Sequence, residues 1–189
     1  QEDLKARIAS GIPYWKDVTA RSTAEEISVT TPMGVFGADS AGVVVDMSGV
    51  VTAGRMREAV TLDGLRLPEG LVPGWATGLV PTRLSLDVAV GGFDLASPLR
   101  LVLDRFDLAR PDAMTDADGA ALLAALLPQG TVAVTLAPGT VEAPLYQLGY
   151  EGKMSAGAEA MPVGTARVTA QGLDAAIEAL NGAPDDVRQ

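Results

Sequence analysis

The sequence contains no cysteine and no histidine. Without cysteine there are neither disulfides nor thiolate metal sites. Without histidine, Ser-His-Asp and Cys-His catalysis are excluded, as is every imidazole-ligated metal site. Aromatic residues make up only 4% of the 189 residues while 48% are hydrophobic, so whatever apolar surface is buried must be aliphatic. Basic residues are also scarce, 14 Lys and Arg against 24 Asp and Glu. The resulting charge of -10 argues against nucleic acid and anionic membrane surfaces as partners. No run of about 18 apolar residues is present, so no transmembrane segment is expected in this chain. The chain begins with Gln and carries no signal-peptide pattern. The expectation is a single domain over residues 1–189 that forms a piece of a longer protein, with any N-terminal anchor in the missing part.

What is present is β-patterned. The stretch from Pro81 to Leu108 organises the chain. Leu84, Leu86, Val88 and Val90 alternate with Arg83, Ser85, Asp87 and Ala89, the period of a half-buried strand. Gly91-Gly92 interrupts the alternation, and Phe93 and Leu95 resume it. The unit of two alternating apolar residues, two spacers and two more apolar residues recurs. It fits Val60, Leu62, Leu65 and Leu67, then Val88, Val90, Phe93 and Leu95, then Leu101, Leu103, Phe106 and Leu108, with a degraded copy at Val168, Ala170 and Leu173. A three-residue step would turn side chains to the other face, so each spacer predicts a bulge or bend. The alternation predicts Leu84, Leu86, Val88 and Val90 buried, and Val88→Asp severely destabilising.

The remaining elements follow from the same signals. Glu2 to Ser10 suits a short helix stopped by Gly11, and Tyr14 and Trp15 are expected to cap one end of the core. Ile27, Val29 and Thr31 alternate as a strand ended by Pro32. Gly34 to Val51 reads as two strands turning near Gly37 to Ser40, with Val43, Val45 and Met47 on one side. Pro68 to Val80 reads as a loop or single helical turn with Trp75 at the core edge. Ala120 to Leu127 reads as a helix with Leu122, Leu123, Leu126 and Leu127 as its buried stripe. Strands are expected at Thr131 to Leu136, around Tyr146 to Met154 and at Val163 to Thr169, with a turn at Ala137 to Thr140. The final helix, Gly172 to Leu180, presents Leu173, Ile177 and Leu180 on one face, and a polar tail runs from Ala183 to Gln189. Short connections favour antiparallel pairing. The fold class is therefore mainly β with a few helices (α+β): a curved, largely antiparallel sheet with helices packed on one face or end.

Candidate chemistry is thin. Asp112, Asp116 and Asp118 before Gly119 suggest calcium, but Met114 and Ala125 occupy ligand positions of an EF-hand loop. Capping of the Leu-rich helix by Thr115 or Asp116 explains these residues better. No Gly-rich segment ends in Gly-Lys-Ser/Thr, so no nucleotide cofactor is expected. Asp63, Asp87, Asp94, Asp104 and Asp107, interleaved with Arg83, Arg100 and Arg105, read as cross-strand ion pairs of an outer face rather than acid–base pairs.

Three segments carry a resemblance: VTLDGLRLPEGLVP from Val60, VPTRLSLDVAVGGFDL from Val80 and GTARVTAQGLDAAIEALNG from Gly164. Together they resemble a bacterial envelope family catalogued as domain of unknown function 2125, similar in style to the AsmA-like proteins. The resemblance implies a periplasmic or cell-envelope protein, usually anchored at its N-terminus, whose antiparallel strands wrap into a groove that holds or guides lipid. It carries over no catalytic residues and implies lipid or another envelope protein as partner; from the residue patterns above, no metal and no cofactor are expected. The candidate apolar groove lining is Leu84, Leu86, Val88, Val90, Leu101 and Leu103. The alternative is a structural or protein-interaction domain whose closed core is completed by Leu122, Leu123, Leu126 and Leu127.

Overall fold

The computed structural model describes residues 2–51, 53–105, 115–157 and 161–184. Seven strands form one antiparallel sheet: β1 (Asp17–Thr31), β2 (Gly34–Ser48), β3 (Gly54–Asp63), β4 (Arg83–Phe93), β5 (Thr131–Glu142), β6 (Gln147–Gly157) and β7 (Val163–Gln171). Each strand pairs with its sequence neighbours, in the order β1 to β7, and the sheet does not close. The expected mainly-β, antiparallel architecture is the observed one.

Four α-helices gather at the two ends of the sheet. Helices α1 (Glu2–Ser10), α2 (Ala96–Arg105) and α3 (Asp116–Leu126) lie where β1 begins and β4 ends. Helix α4 (Leu173–Asn181) and the 3-10 helix Gly74–Leu79 lie at the other end. Among the described residues, α2 packs on α1 and α3, and α4 packs on the 3-10 helix.

Pairing extends several strands beyond their apolar alternation. β1 starts at Asp17, ten residues before Ile27, because the polar run Asp17 to Glu26 is zipped onto β2 from Ser48 to Ser40. Gly34 to Ser48 is one strand rather than two; Pro32-Met33 makes the turn, and Gly37 to Ser40 runs straight through it. Ala137 to Thr140 is likewise no turn. There β5 carries an extra residue opposite both neighbours, a bulge that accommodates Pro138, which has no N–H to donate. Tyr150 lies over Gly139, and its hydroxyl donates to the Ser85 carbonyl at 2.6 Å.

The Gly91-Gly92 spacer is a bulge. Gly54 pairs with Phe93 and Arg55 with Gly91, leaving Gly92 unpaired at φ +89°, a conformation only glycine adopts without strain. Other copies of the repeat diverge. β3 ends at Asp63; beyond it the Gly37–Arg66 bridge and the Leu65 N–H, which donates to the Thr82 carbonyl, carry the pairing a little further. Val168 and Ala170 lie in β7, but Gly172 turns the chain into α4.

The third copy is a correction. Leu101 and Leu103 lie on α2, not on a strand; Phe106 and Leu108 fall outside the described residues. The cause sits upstream. Asp94 is 4% exposed, and its carboxylate accepts from the Ala96 N–H at 2.8 Å, the Ser97 N–H at 3.0 Å and the Ser97 hydroxyl at 2.6 Å. These groups open α2, whose first donors have no intrahelical acceptor, and Pro98 in its first turn needs none. Leu95, Leu99 and Val102 then fall on one helical face, a period that Leu99, Leu101 and Leu103 disguised as alternation.

Thr115 caps α3 as expected, in a reciprocal arrangement with Asp118. The Thr115 N–H and hydroxyl donate to the Asp118 carboxylate, which also meets Arg105. These bonds, those from Thr115 first, hold its pKa down to about 2. A carboxylate depressed in the folded state stabilises fully above its unfolded value, about 3.9, and that contribution disappears as pH falls towards 2. Thermal melts between pH 4 and 2 are expected to show a decline that Asp118→Asn flattens. Identical slopes for the two proteins would refute the assignment.

Candidate functional site

Residues directly opposite one another in antiparallel strands share a face, so the register sorts the sheet into two surfaces. On one, a row runs Val18, Met47, Met56, Val90, Val134, Met154 and Gly164 across all seven strands. Another runs Ala24, Ala41, Leu62, Leu84, Val141, Leu148 and Ala170. Between them lie Val43, Val45, Val60, Leu86, Val88 and Leu136, with Glu58 as the charged interruption. Apart from Glu58 and Ser22, which stands opposite Val43 on β1, this face is apolar from β1 to β7.

The opposite face is polar and cross-linked. Arg57 donates to Asp46 at 3.1 Å and to both oxygens of Asp87, at 2.9 Å from Nε and 2.6 Å from Nη2. This pairing holds the Asp87 carboxyl below the usual carboxylate range. Arg83 bridges Asp63 at 3.0 Å and Glu142 at 2.8 Å. Ion pairs on an outer face therefore describe Asp63, Asp87 and Arg83. They do not describe Asp94, the buried cap, or Asp104, which lies on α2. Arg100 donates to the Ile12 carbonyl and Arg105 meets Asp118. Asp107 and Asp112 fall outside the described residues.

Among the described residues no helix covers the apolar face. Leu84, Leu86, Val88 and Val90 share it as expected but are not buried: three are half-buried and Leu86 is 36% exposed. Val18, Val43, Met56, Met154 and Val168 are exposed on the same face. The buried hydrophobic residues among those described are Ile12, Val50 and five alanines, of which only Ala89 lies in the middle of the sheet, and it belongs to the opposite, polar face. The chain exposes 12400 Å², where a compact monomer of this mass exposes about 8,500 Å².

The helical cover of the alternative, closed-core reading does not form among the described residues. α3 packs on α2 at the sheet's end; Leu122, Leu126 and Leu127 are only half-buried and Leu123 is exposed. Leu101 and Leu103 belong to that end assembly, so they leave the groove lining. The residues missed in their place are Val43, Val45, Met56, Val60, Val134, Leu136 and Met154. Their alternation was legible in the sequence, but only the register aligns their faces.

A second apolar feature lies among the helices. Ile12, Trp15, Val50, Leu95, Leu99 and Val102 line an open hollow of about 250 Å³. Tyr14 and Trp15, with rings 6.3 Å apart, border it and remain exposed, so they cap the end of the sheet only partially. Trp75 is half-buried beside α4. Leu173, Ile177 and Leu180, the expected inner face of α4, are all exposed, and Ala176 is the residue that helix buries.

Among the described residues no cluster of three or more Asp or Glu is placed to hold a metal ion, and no helix is long and apolar enough to cross a membrane. Comparison with known proteins found no matching family model, curated protein or solved structure.

Proposed function

We propose that this chain is a non-enzymatic module of the bacterial cell envelope that holds or guides the acyl chain of a lipid along its apolar sheet face. The observation that carries the reading is the face itself: predominantly apolar across seven strands, with no helix among the described residues laid over it. At a strand spacing of about 4.8 Å it spans roughly 29 Å, about twice one leaflet of a bilayer's 30 Å hydrocarbon core. Its lining is Val, Leu, Met and Ala, which conform to a flexible chain better than to a flat ring. The envelope location rests on the sequence resemblance.

The driving force is burial of methylenes, about 0.8 kcal/mol for each CH₂ taken fully out of water. A chain lying on an open face is covered on one side, so about half of that applies. Four added methylenes then strengthen binding by about 1.6 kcal/mol, roughly fifteenfold. Native mass spectrometry of the purified protein is expected to show a retained lipid, and a fluorescent fatty-acid displacement assay is expected to rank hexadecyl above dodecyl chains by about that factor. No retained lipid together with equal, weak binding of both chains would refute the reading and leave the face to a protein partner.

A further inference from the structure

The two edges of the sheet are built differently. β1 carries Glu25 and Glu26 side by side, and Glu26 stands at φ +51°, a left-handed kink in an edge strand. Charge and a break in extension are devices that keep an edge from pairing. β7 has neither. Val163–Gln171 contains no proline, its only charged residue is Arg167, and all nine residues are exposed.

The register shows which backbone groups of β7 are free. The Ala143 N–H donates to the Tyr146 carbonyl, while the Glu142 carbonyl turns the other way, to Thr82. Alternation from that closing bond directs the odd residues of β6, Gln147 to Lys153, towards β7. Their partners Thr165, Arg167, Thr169 and Gln171 are thereby used. Gly164, Ala166, Val168 and Ala170 direct their N–H and C=O groups away from the sheet.

Both ends of this edge are apolar. Met161 is 85% exposed and Val163 74% exposed at its start; Leu173 and Ile177 of α4 are exposed just past its end. In an antiparallel pairing of β7 with itself, the start of one strand lies opposite the end of the other. With a two-fold axis at Val168, Val163 of one copy stands opposite Leu173 of the second, twice over, and Met161 approaches the start of its α4. A two-fold axis at Ala166 or Val168 also keeps the two Arg167 side chains from standing directly opposed.

We propose that β7 pairs antiparallel with β7 of a second copy of this chain, joining two seven-stranded sheets into one sheet of fourteen strands. The axis stands normal to the sheet, so both apolar faces lie on the same side and become continuous. The proposal does not depend on what that face binds.

Sedimentation of the full chain is expected to give a particle of twice its mass that dissociates on dilution. Ala166→Pro and Val168→Pro, each removing an outward N–H, are expected to give the monomer, whereas Ala20→Pro on β1 is expected to leave the dimer intact. Because the chain has no cysteine, Ala166→Cys and Val168→Cys supply single probes; one of the two is expected to form a covalent dimer under mild oxidation while sedimenting as the parent does. A monomer at all accessible concentrations would overturn the proposal. So would a dimer that survives both proline variants, or one abolished by Leu86→Glu, which would mark face-to-face stacking instead.

Discussion

Replacing Asp94 with alanine is expected to lower the melting temperature by roughly 5–10 °C. The change removes one carboxylate that holds three donors at the start of α2, and it leaves the Ala96 N–H buried without a partner. Loss of a cap costs about 0.5–2 kcal/mol, and a stranded buried donor costs about 1–3. A combined effect of about 2–3 kcal/mol is reasonable, and each kcal/mol shifts a chain of this length by roughly 2–4 °C. Asp94→Asn keeps the oxygen that accepts both N–H groups, so it is expected to recover a large part of the loss. The Asp94 N–H also donates to the Leu126 carbonyl, and Leu95 to Val50. The whole α2–α3 assembly therefore hangs on this corner. An unchanged melt for Asp94→Ala would mean that the end assembly contributes nothing to stability.

Leu86→Glu is expected to separate ligand binding from folding. Leu86 sits on the central strand of the seven and is already 36% exposed, so a glutamate there can stay hydrated in the free protein. A bound acyl chain would cover it. Displacing water from an unpaired carboxylate costs about 2 kcal/mol or more, so affinity for a hexadecyl probe is expected to fall by at least about thirtyfold. The melting temperature is expected to move by no more than about 3 °C. The same reasoning moderates Val88→Asp, which the alternation alone ranked as severe: with no layer over the face, the carboxylate reaches solvent. Thr135→Glu, on the polar face, is the control and is expected to leave binding unchanged. Equal binding by Leu86→Glu and the parent would place the ligand, if any, elsewhere, the hollow beside Trp15 being the first alternative.

The strand content was legible wherever apolar and polar residues alternate. Arg83 to Val90, Val43 to Met47 and Val163 to Thr169 needed nothing more. Strands without that pattern were cut short: Asp17 to Glu26 is held by β2, and Pro138 is absorbed by a bulge that only the neighbouring strands explain. Leu101 and Leu103 mislead because Leu99, Leu101 and Leu103 satisfy a period of two by composition, while the deciding residue is Asp94, upstream and buried. The candidate site was half legible. Leu84, Leu86, Val88 and Val90 lie on the apolar face, but their burial was read from the alternation alone, and α3, the cover of the alternative reading, packs elsewhere. Alternation tells which residues share a side. It says nothing about whether another layer lies on that side.

The order β1 to β7 has a consequence for how the chain acquires its structure. Every strand meets the one before it, so each pairing closes a short loop or connection, and no step requires distant segments to find one another first. The longest interval between paired strands, from Phe93 to Thr131, holds helices of its own. Closing this interval costs roughly 2–3 kcal/mol more than closing the tightest hairpin, because the cost grows only with the logarithm of length. Folding can then advance strand by strand from any hairpin, and quickly for a β protein. An open meander of this kind can also lengthen or shorten by a hairpin at either margin without rewiring the strands already laid down.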